Sequence, residues 1–258
     1  ITWFFLFRDF PEEHFAVSAG ERDYIVEARK PKALQADEPQ DESVSANSEA
    51  TIGFAEMFRS ANLRMLMVQY VAHNFTFFFT VTWFFPYLKD SFSLTSEQAG
   101  LYAAAPLLCG VLGNWLAGFT VDRLYSRGQW QLSRRLPASI GFFFGAVGMS
   151  LCVSMGDPFW AVVCMCIAIF GSDMILSPSW STCMDIGGKS AGAVSGAMNM
   201  VGNLGAFLTA LLFPILNEQL GSHKPFFYFA AALNFLSIFL WFRIRPDRSM
   251  AEELGNSA

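Results

Sequence analysis

Six apolar stretches, separated by short segments rich in charge, glycine or proline, dominate the chain from residue 62 onward. A helix needs about 20 apolar residues to cross a hydrocarbon layer about 30 Å thick, because each residue rises about 1.5 Å. The stretches meet or approach that length, so the pattern predicts six membrane-spanning helices. They cover residues 62–86, 98–121, 136–155, 159–182, 191–216 and 226–242.

The composition supports a membrane protein. Hydrophobic residues make up 53% of the 258 positions and charged residues only 15%, whereas about a quarter of a soluble domain is charged. There are 19 charged side chains in residues 8–64 and only 14 in residues 65–242. The composition disfavours a collagen, a disordered chain, a disulfide-rich secreted domain and a basic nucleic-acid-binding protein, so no nucleic-acid partner is expected.

Lysine and arginine are distributed unevenly between the connections. Of the 17 cationic side chains, 15 lie on one side of the predicted spans and only Lys89 and Lys224 lie on the other. Cations resist translocation, so the positive side is expected to be cytoplasmic. We therefore predict an integral protein of the cell (inner) membrane with both ends in the cytoplasm.

The first 61 residues are of a different kind. The apolar segment 1–7 is too short to cross a bilayer and is interpreted as the end of a preceding transmembrane helix. Residues 8–61 are expected to form a cytoplasmic loop, in which Ser18 and Glu21 make a capping box that predicts a helix over 19–30. Residues 31–50 are acidic and poor in apolar side chains, which is typical of a flexible linker. A six-helix bundle at 62–242 and a cytoplasmic tail at 243–258 complete the predicted organisation.

Two stretches carry a resemblance to a known family. Gly118, Asp122 and Arg123, followed by Arg127, resemble the G-x-x-x-D-R-x-x-R loop motif of the major facilitator superfamily. Residues 177–207, SPSWSTCMDIGGKSAGAVSGAMNMVGNLGAF, resemble the tenth and eleventh helices of that superfamily's anion:cation symporter family. The segments WFFPYL at 83–88 and PEEH at 11–14 are similar to the same family.

This resemblance implies an all-α membrane fold of twelve helices in two halves, of which the chain corresponds to the C-terminal six-helix half. It also implies secondary active transport of a small organic anion, such as the sugar acids hexuronate, aldarate or galactonate. Transport would occur by alternating access and proton symport, with Na⁺ as the alternative coupling ion. The expected partners are the anion, the coupling ion, the lipid bilayer and the N-terminal half, and no cofactor or metal is expected.

Asp173 is the one acid near the middle of a predicted span. An ionised carboxylate at a helix centre costs about 2.5–3.5 kcal/mol on insertion scales, so it must be protonated, paired or facing a cavity. Two interpretations remain open: a protonated structural Asp, or a carboxyl that carries the coupled proton. His73 in the first span is a second candidate for a proton path, and a hydrogen-bonded structural histidine is the alternative.

Candidate substrate-binding side chains lie on three spans and share the capacity to bond a polyhydroxylated anion. On the fourth span a hydroxyl and an indole follow Asp173 on one helical face, which suits a sugar acid because the indole ring can cover its apolar face. Helix packing is the alternative explanation for each side chain. The candidates are Ser177, Trp180, Asn199, Asn74 and Asn203.

Asp122, Arg123 and Arg127 close the second span. The family resemblance implies that they form a cytoplasmic gate that stabilises one alternating-access state. An anion at this depth could interact with the positive N-terminus of the fifth helix. The alternative is that these charges only set the orientation of the chain.

Two other functions compete with transport. A membrane-embedded enzyme needs paired acids, a histidine cluster or an activated nucleophile, and the three histidines at 14, 73 and 223 cannot form one cluster on a shared span. We therefore predict that the protein is not an enzyme. A non-transporting helical scaffold, left by truncation, is the other alternative.

Overall fold

A computed structural model of the chain describes residues 13–23 and 52–255. The chain divides into two compact units, residues 1–50 and 51–258. In the first unit, residues 19–23 are helical, and the Glu21 amide donates to Ser18 Oγ at 3.3 Å. This helix therefore begins where the Ser18 cap predicts. The predicted membrane segment 1–7, the rest of the predicted helix and the acidic linker 31–50 lie outside the described residues.

The described part of the second unit is built from helices without strands, as the all-α prediction requires. The helices are α1 (Phe54–Met57), α2 (Ala61–Thr82), α3 (Phe84–Phe92), α4 (Ser96–Ser126), α5 (Trp130–Cys152), α6 (Pro158–Met174), α7 (Leu176–Gly187), α8 (Ala191–Leu220), α9 (Lys224–Arg243) and α10 (Met250–Gly255). A 3₁₀ turn, Gly188–Ser190, joins α7 to α8.

Within residues 13–23 and 52–255, four helical stretches are long and apolar enough to cross a membrane, compared with the six spans predicted. They are Ser96–Ser126, Trp130–Cys152, Pro158–Leu220 and Lys224–Arg243. The third stretch contains both the fourth and the fifth predicted spans. Helix α2, which holds most of the first predicted span, falls outside this set because polar side chains such as Gln69, His73 and Asn74 lower its mean hydropathy.

Two predicted spans contain a break that follows from proline. Helix α2 ends at Thr82 and α3 begins at Phe84, because Pro86 has no N–H to donate to the Thr82 carbonyl. In the same way, α6 ends at Met174, since Pro178 cannot donate to its carbonyl. The predicted loop at 87–97 is wrong in its first half, because α3 continues to Phe92.

The connections at the opposite end of the bundle are shorter than predicted. Helix α4 runs to Ser126 and α5 begins at Trp130, so the connection is residues 127–129, with Gly128 at φ 75°. The predicted connection 183–190 is helical as far as Gly187. The charges in these segments predict that the helices end there, but a helix satisfies its own backbone groups and can continue beyond the apolar layer.

The helices pack in pairs along glycine-lined contacts. The most extensive contacts join α2 to α8, α4 to α6 and α5 to α6, followed by α5 to α9. A Cβ at Gly113 would collide with the Phe170 carbonyl oxygen, and one at Gly205 would collide with the Val71 carbonyl oxygen. Such close backbone approach is typical of helix contacts in membranes.

The C-terminal segment is fixed to the start of α2. Glu253 of α10 accepts hydrogen bonds from Ser60 Oγ and from the Ala61 amide, both at 2.7 Å. Asn62 exchanges two hydrogen bonds with the backbone of Arg245, at 2.9 and 3.2 Å. The predicted tail therefore folds back onto the bundle over its described residues.

Candidate functional site

One face of α2 carries polar side chains that are enclosed and hydrogen-bonded. Gln69 Nε2 donates to Ser179 Oγ at 3.2 Å, and Gln69 Oε1 accepts from Trp241 Nε1 at 3.3 Å. Two turns further along, Thr76 Oγ1 accepts from Asn234 Nδ2 at 2.7 Å. We call this the closed face. Its bonds link α2 to α7 and α9, and they satisfy polar atoms that would otherwise be costly in an apolar interior.

His73 lies on the closed face. Its side chain is 2% exposed, and Nδ1 is 2.9 Å from Ser172 Oγ on α6. The ring also packs between Tyr70 and Phe77, with centroid distances of 5.1 and 6.1 Å. This environment matches the structural alternative for His73, and a role in a proton path stays a prediction.

Asp173 lies at the end of α6, where α6 meets α4. Its Oδ1 atom is buried and has no hydrogen-bond partner among the described residues. Its Oδ2 atom occupies the space in which a Cβ at Gly110 would lie. The acid therefore lies against α4, and no cation or donor among residues 13–23 and 52–255 neutralises it, a situation that membrane-embedded acids rarely show outside functional sites.

Aromatic side chains of α2 and α7 meet beside this acid. The Tyr70 and Trp180 rings are edge-to-face, with centroids 6.5 Å apart and an interplanar angle of 87°. Trp180 is 41% exposed, whereas Tyr70 is 4% exposed and packs against Gly202 of α8. Asn74 Nδ2 also lies beside Gly202. Tyr70, Asn74 and Trp180 therefore converge where α2, α7 and α8 meet.

The sequence analysis missed Tyr70. The signal was present, because Tyr70 precedes Asn74 by four residues and so lies on the same helical face. The tyrosine was read as part of an apolar span, since nothing in the local pattern indicates which neighbour its ring will contact.

The remaining predicted substrate residues lie at the exposed edge of this region. Asn199 and Asn203 are exposed on α8, and the Asn203 side chain donates to the Asn199 carbonyl at 2.8 Å. No hydrogen bond of the Asn199 amide or the Ser177 hydroxyl is found in the part of the chain that the structure describes. We call this region the open face; it consists of the exposed Trp180, Asn199 and Asn203, the half-buried Asp173 and Ser177, and the buried Tyr70 and Asn74.

The open face is polar but has no cation of its own. Lys and Arg are absent from the sequences of α6, α7 and α8, and α2 has only Arg64 near its start. The surface offers hydroxyl, amide and indole groups together with one acid. It can bond the hydroxyls of a ligand and move a proton, but neutralising an anionic ligand requires groups from elsewhere.

The predicted gate residues Asp122, Arg123 and Arg127 lie at the end of α4 and in the turn after it. All three are exposed, and within the described residues their side chains make no hydrogen bond or ion pair. Their role as a gate stays a prediction.

A different ion pair joins the helices at that end of the bundle. Arg134 donates to both Asp185 oxygens, from Nε at 2.8 Å and from Nη2 at 3.3 Å. Trp130 Nε1 also donates to Asp185 at 3.1 Å, and the Arg134 guanidinium lies 5.3 Å from the Tyr125 ring centroid. The pair ties α5 to α7 and is largely enclosed, with side-chain exposures of 8% and 15%. The sequence analysis did not assign Asp185, although it is the one acid between Asp173 and Glu218.

Comparison with known proteins agrees with the motifs. The family model of the Major Facilitator Superfamily matches residues 1–210. A probable sulfoacetate transporter of Cupriavidus necator is 28% identical over 236 residues, which cover 90% of this chain and 51% of the relative. A probable galactarate/D-glucarate transporter of Escherichia coli is 29% identical over 231 residues, covering 88% and 49%. The chloroplastic ascorbate transporter of Arabidopsis thaliana is 30% identical over 178 residues, covering 68% and 32%.

The chain spans about half the length of the first two of these relatives. The relatives are transporters of organic anions rather than enzymes, as the sequence analysis expected. By its family match and its apolar helices, the chain belongs to the major facilitator superfamily of integral membrane transporters.

Proposed function

We propose that the protein carries out secondary active transport of a small organic anion, and that this chain is the C-terminal six-helix half of the alternating-access unit. The observation that supports this most directly is the open face. Polar side chains of α2, α6, α7 and α8 gather there, and among the described residues Asp173 Oδ1, the Ser177 hydroxyl and the Asn199 amide have no hydrogen-bond partner. In this fold the substrate cavity lies between the two halves, and the open face is the surface of this half that could line it.

The substrate class we propose is a sugar acid, such as an aldarate, hexuronate or galactonate. Ser177, Asn199 and the Trp180 indole provide donors and acceptors for hydroxyl groups, while the exposed part of the Trp180 ring can cover the apolar face of the carbon chain. The names of two relatives, which refer to galactarate and D-glucarate transport, favour the same class. The carboxylates would be neutralised by cations of the N-terminal half.

We also propose that transport is coupled to protons, with Asp173 as the group that carries them. A carboxyl that is enclosed and unpaired favours its protonated form, and an anion arriving nearby would favour that form further. Na⁺ coupling is the alternative. The uptake measurement below, with an imposed proton gradient, distinguishes proton coupling from Na⁺ coupling.

The proposed topology has six crossings with both ends in the cytoplasm of a cell-membrane protein. The apolar stretch Pro158–Leu220 is 63 residues long, or about 95 Å as one helix at about 1.5 Å per residue. That is about three times the hydrocarbon thickness, so it accommodates two crossings with a reversal at Gly188, where φ is 50°. Helices α2 and α3 would provide the first crossing despite their lower hydropathy.

The topology can be tested by labelling single cysteines in a variant that lacks the five native ones. Ser91→Cys and Ser222→Cys should react with a membrane-impermeant maleimide in intact cells, and Ser126→Cys only after the cells are opened. Labelling of the first two only in inverted vesicles would contradict the orientation.

The function can be tested by counterflow in proteoliposomes containing the natural protein. Vesicles loaded with unlabelled galactarate, glucarate, galactonate or a hexuronate should transiently accumulate the same labelled acid, and an imposed proton gradient should drive net uptake. A folded protein that shows no counterflow with any organic acid would instead support the non-transporting scaffold.

A further inference from the structure

A basic recess lies between the start of α5 and the end of α9, away from the open face. It has a volume of about 480 Å³ and is lined by Gln131, Arg135, Phe242, Arg243, Arg245 and Asp247. Three cations and one anion therefore surround it, which leaves an excess of positive charge. We call it the arginine recess.

The cations of the recess differ in how firmly they are held. Arg135 donates from Nε and Nη2 to the Ile244 carbonyl, at 2.9 and 2.7 Å, and so ties α5 to the end of α9. No partner is found for the guanidinium groups of Arg243 and Arg245 in residues 52–255. Two positive groups beside a fixed third one are suited to an anion with several oxygen atoms, such as a phosphate.

An apolar groove continues from the recess along the same two helices. It also has a volume of about 480 Å³, and its walls include Phe143, Ala146 and Ser150 of α5 and Tyr228, Ala232 and Phe235 of α9. Arg135, Ser139 and Phe143 follow one another at four-residue spacing, so the recess and the groove lie on one helical stripe.

The distance from the recess to the near end of the groove is shorter than one leaflet of a bilayer. The 8 residues from Arg135 to Phe143 rise about 12 Å at about 1.5 Å per residue, and half of the hydrocarbon core is about 15 Å. An acyl chain that starts at the recess therefore reaches the near end of the groove, at Phe143, within the depth of one leaflet, and the rest of the groove extends deeper. Between the two, Ser139 lies on the same stripe, and its buried Oγ faces the protein interior rather than the lipid.

We propose that the seam between α5 and α9 binds one anionic phospholipid, with the phosphate in the arginine recess and an acyl chain in the apolar groove. Basic pockets between helices at the membrane surface recognise such headgroups. A free phosphate would use the same arginines, but it would leave the groove and the 61% exposed Phe242 ring without a role. The site is separate from the proposed substrate surface and does not depend on which solute is carried.

The test is the thermal stability of the purified natural protein in an uncharged detergent, measured during titration with lipid. Phosphatidylglycerol should raise the unfolding temperature, whereas phosphatidylcholine and inorganic phosphate at the same concentrations should not. The double variant Arg243→Gln, Arg245→Gln should weaken the apparent affinity for phosphatidylglycerol at least tenfold. The matched control Arg59→Gln, Arg64→Gln removes two exposed arginines near the start of α2 and should leave that affinity unchanged.

A second variant tests the apolar groove without changing charge. Ala232→Phe places a ring in the groove and should weaken binding of long-chain phosphatidylglycerol, but not of a six-carbon-chain analogue. Equal stabilisation by inorganic phosphate would show a phosphate site instead of a lipid site. An equal loss of affinity for phosphatidylglycerol in the control double variant would show that the effect comes from general surface charge. An unaltered affinity of Ala232→Phe for long-chain phosphatidylglycerol would exclude the groove as the site of the acyl chain. Any of these results overturns the proposal.

Discussion

Polar side chains on the closed and open faces of this bundle differ in their hydrogen bonding. On the closed face, Gln69 and Thr76 bond to side chains on other helices, and each bond removes a cost of burial. On the open face, Asp173 Oδ1 is buried without a partner among the described residues, and the Asn199 amide is exposed. The contrast separates polar groups that hold the helices together from polar groups that are available to something outside this chain. Substitutions on the two faces should therefore affect different measurements.

The largest expected effect is on the open face. Asp173→Asn removes the ionisable group while keeping its size. If the carboxyl carries the coupled proton, the variant should lose accumulation against a gradient completely and retain substrate counterflow at least in part. Both quantities are measured on the same proteoliposomes.

Asp157→Asn is the matched control, because Asp157 caps the start of α6 through bonds to the Phe159 and Trp160 amides, a role that Asn can also fill. It should accumulate substrate normally. Proton-driven accumulation at the wild-type level by Asp173→Asn would end the coupling proposal and leave a protonated structural Asp as the explanation.

The second effect is on the closed face. Gln69→Leu leaves Trp241 Nε1 without its acceptor and Ser179 Oγ without its donor. An unsatisfied buried group costs about 1–3 kcal/mol, so the free energy of unfolding in detergent should fall by about that amount. The transport rate per folded molecule should stay the same. A change in the apparent substrate affinity without a loss of stability would place Gln69 at the substrate instead.

A third, smaller effect separates the two asparagine environments of α8. Asn199→Leu removes a group that is exposed on the open face, so stability should change little and the KM for counterflow should rise about five- to tenfold, as the loss of one hydrogen bond predicts. Asn217→Leu makes the same change near the other end of α8, outside the open face, and serves as the control. Equal KM values for the two variants would remove Asn199 from the proposed site.

Local features of the fold were predictable from the sequence, whereas its pairings were not. The Ser18 cap and the family motifs operate over a few residues. The breaks before Pro86 and Pro178 do not follow from the hydropathy pattern, and Pro106, Pro137 and Pro214 lie inside continuous helices. The contacts that define the closed face join distant positions: Gln69 and Trp241 are 172 residues apart, and Ser60 and Glu253 are 193 apart. Which helices meet depends on the packing of the whole bundle. The hydropathy of a segment does not determine which other segment it contacts.

The same limit explains the outcome at the candidate site. The sequence predicts a role for Asp173 because an acid is unusual within an apolar helix, and for Trp180 because it follows Asp173 on the same helical face. It missed Tyr70, whose ring looks like any other apolar residue until α7 and α8 pack against it, and it missed Asp185, whose partner Arg134 is 51 residues away. The gate at Asp122 stays a prediction from a motif, and the enclosed Arg134–Asp185 ion pair at that end of the bundle is a separate contact that the motif does not include.

The smallest expected effect concerns a polar atom that is enclosed, as on the closed face, but has no partner, as on the open face. His223, in the connection between α8 and α9, stacks on Phe213 at 5.2 Å and meets Tyr87 edge-on, and its buried Nδ1 has no partner among the described residues. Burial lowers the pKa of His223 below its usual 6.5, and the charge of Asp90 partly opposes this. The folded state then binds fewer protons than the unfolded state, so stability should fall as the pH drops from about 6.5 towards the lowered pKa and should not respond to His223 above that range.

His223→Phe should reduce this pH dependence of the unfolding free energy, while Asp90→Asn should lower the pKa of His223 further and extend the pH range over which stability is lost. If His223→Phe shows the same loss between pH 7 and pH 5 as the wild type, the enclosed imidazole does not contribute to it.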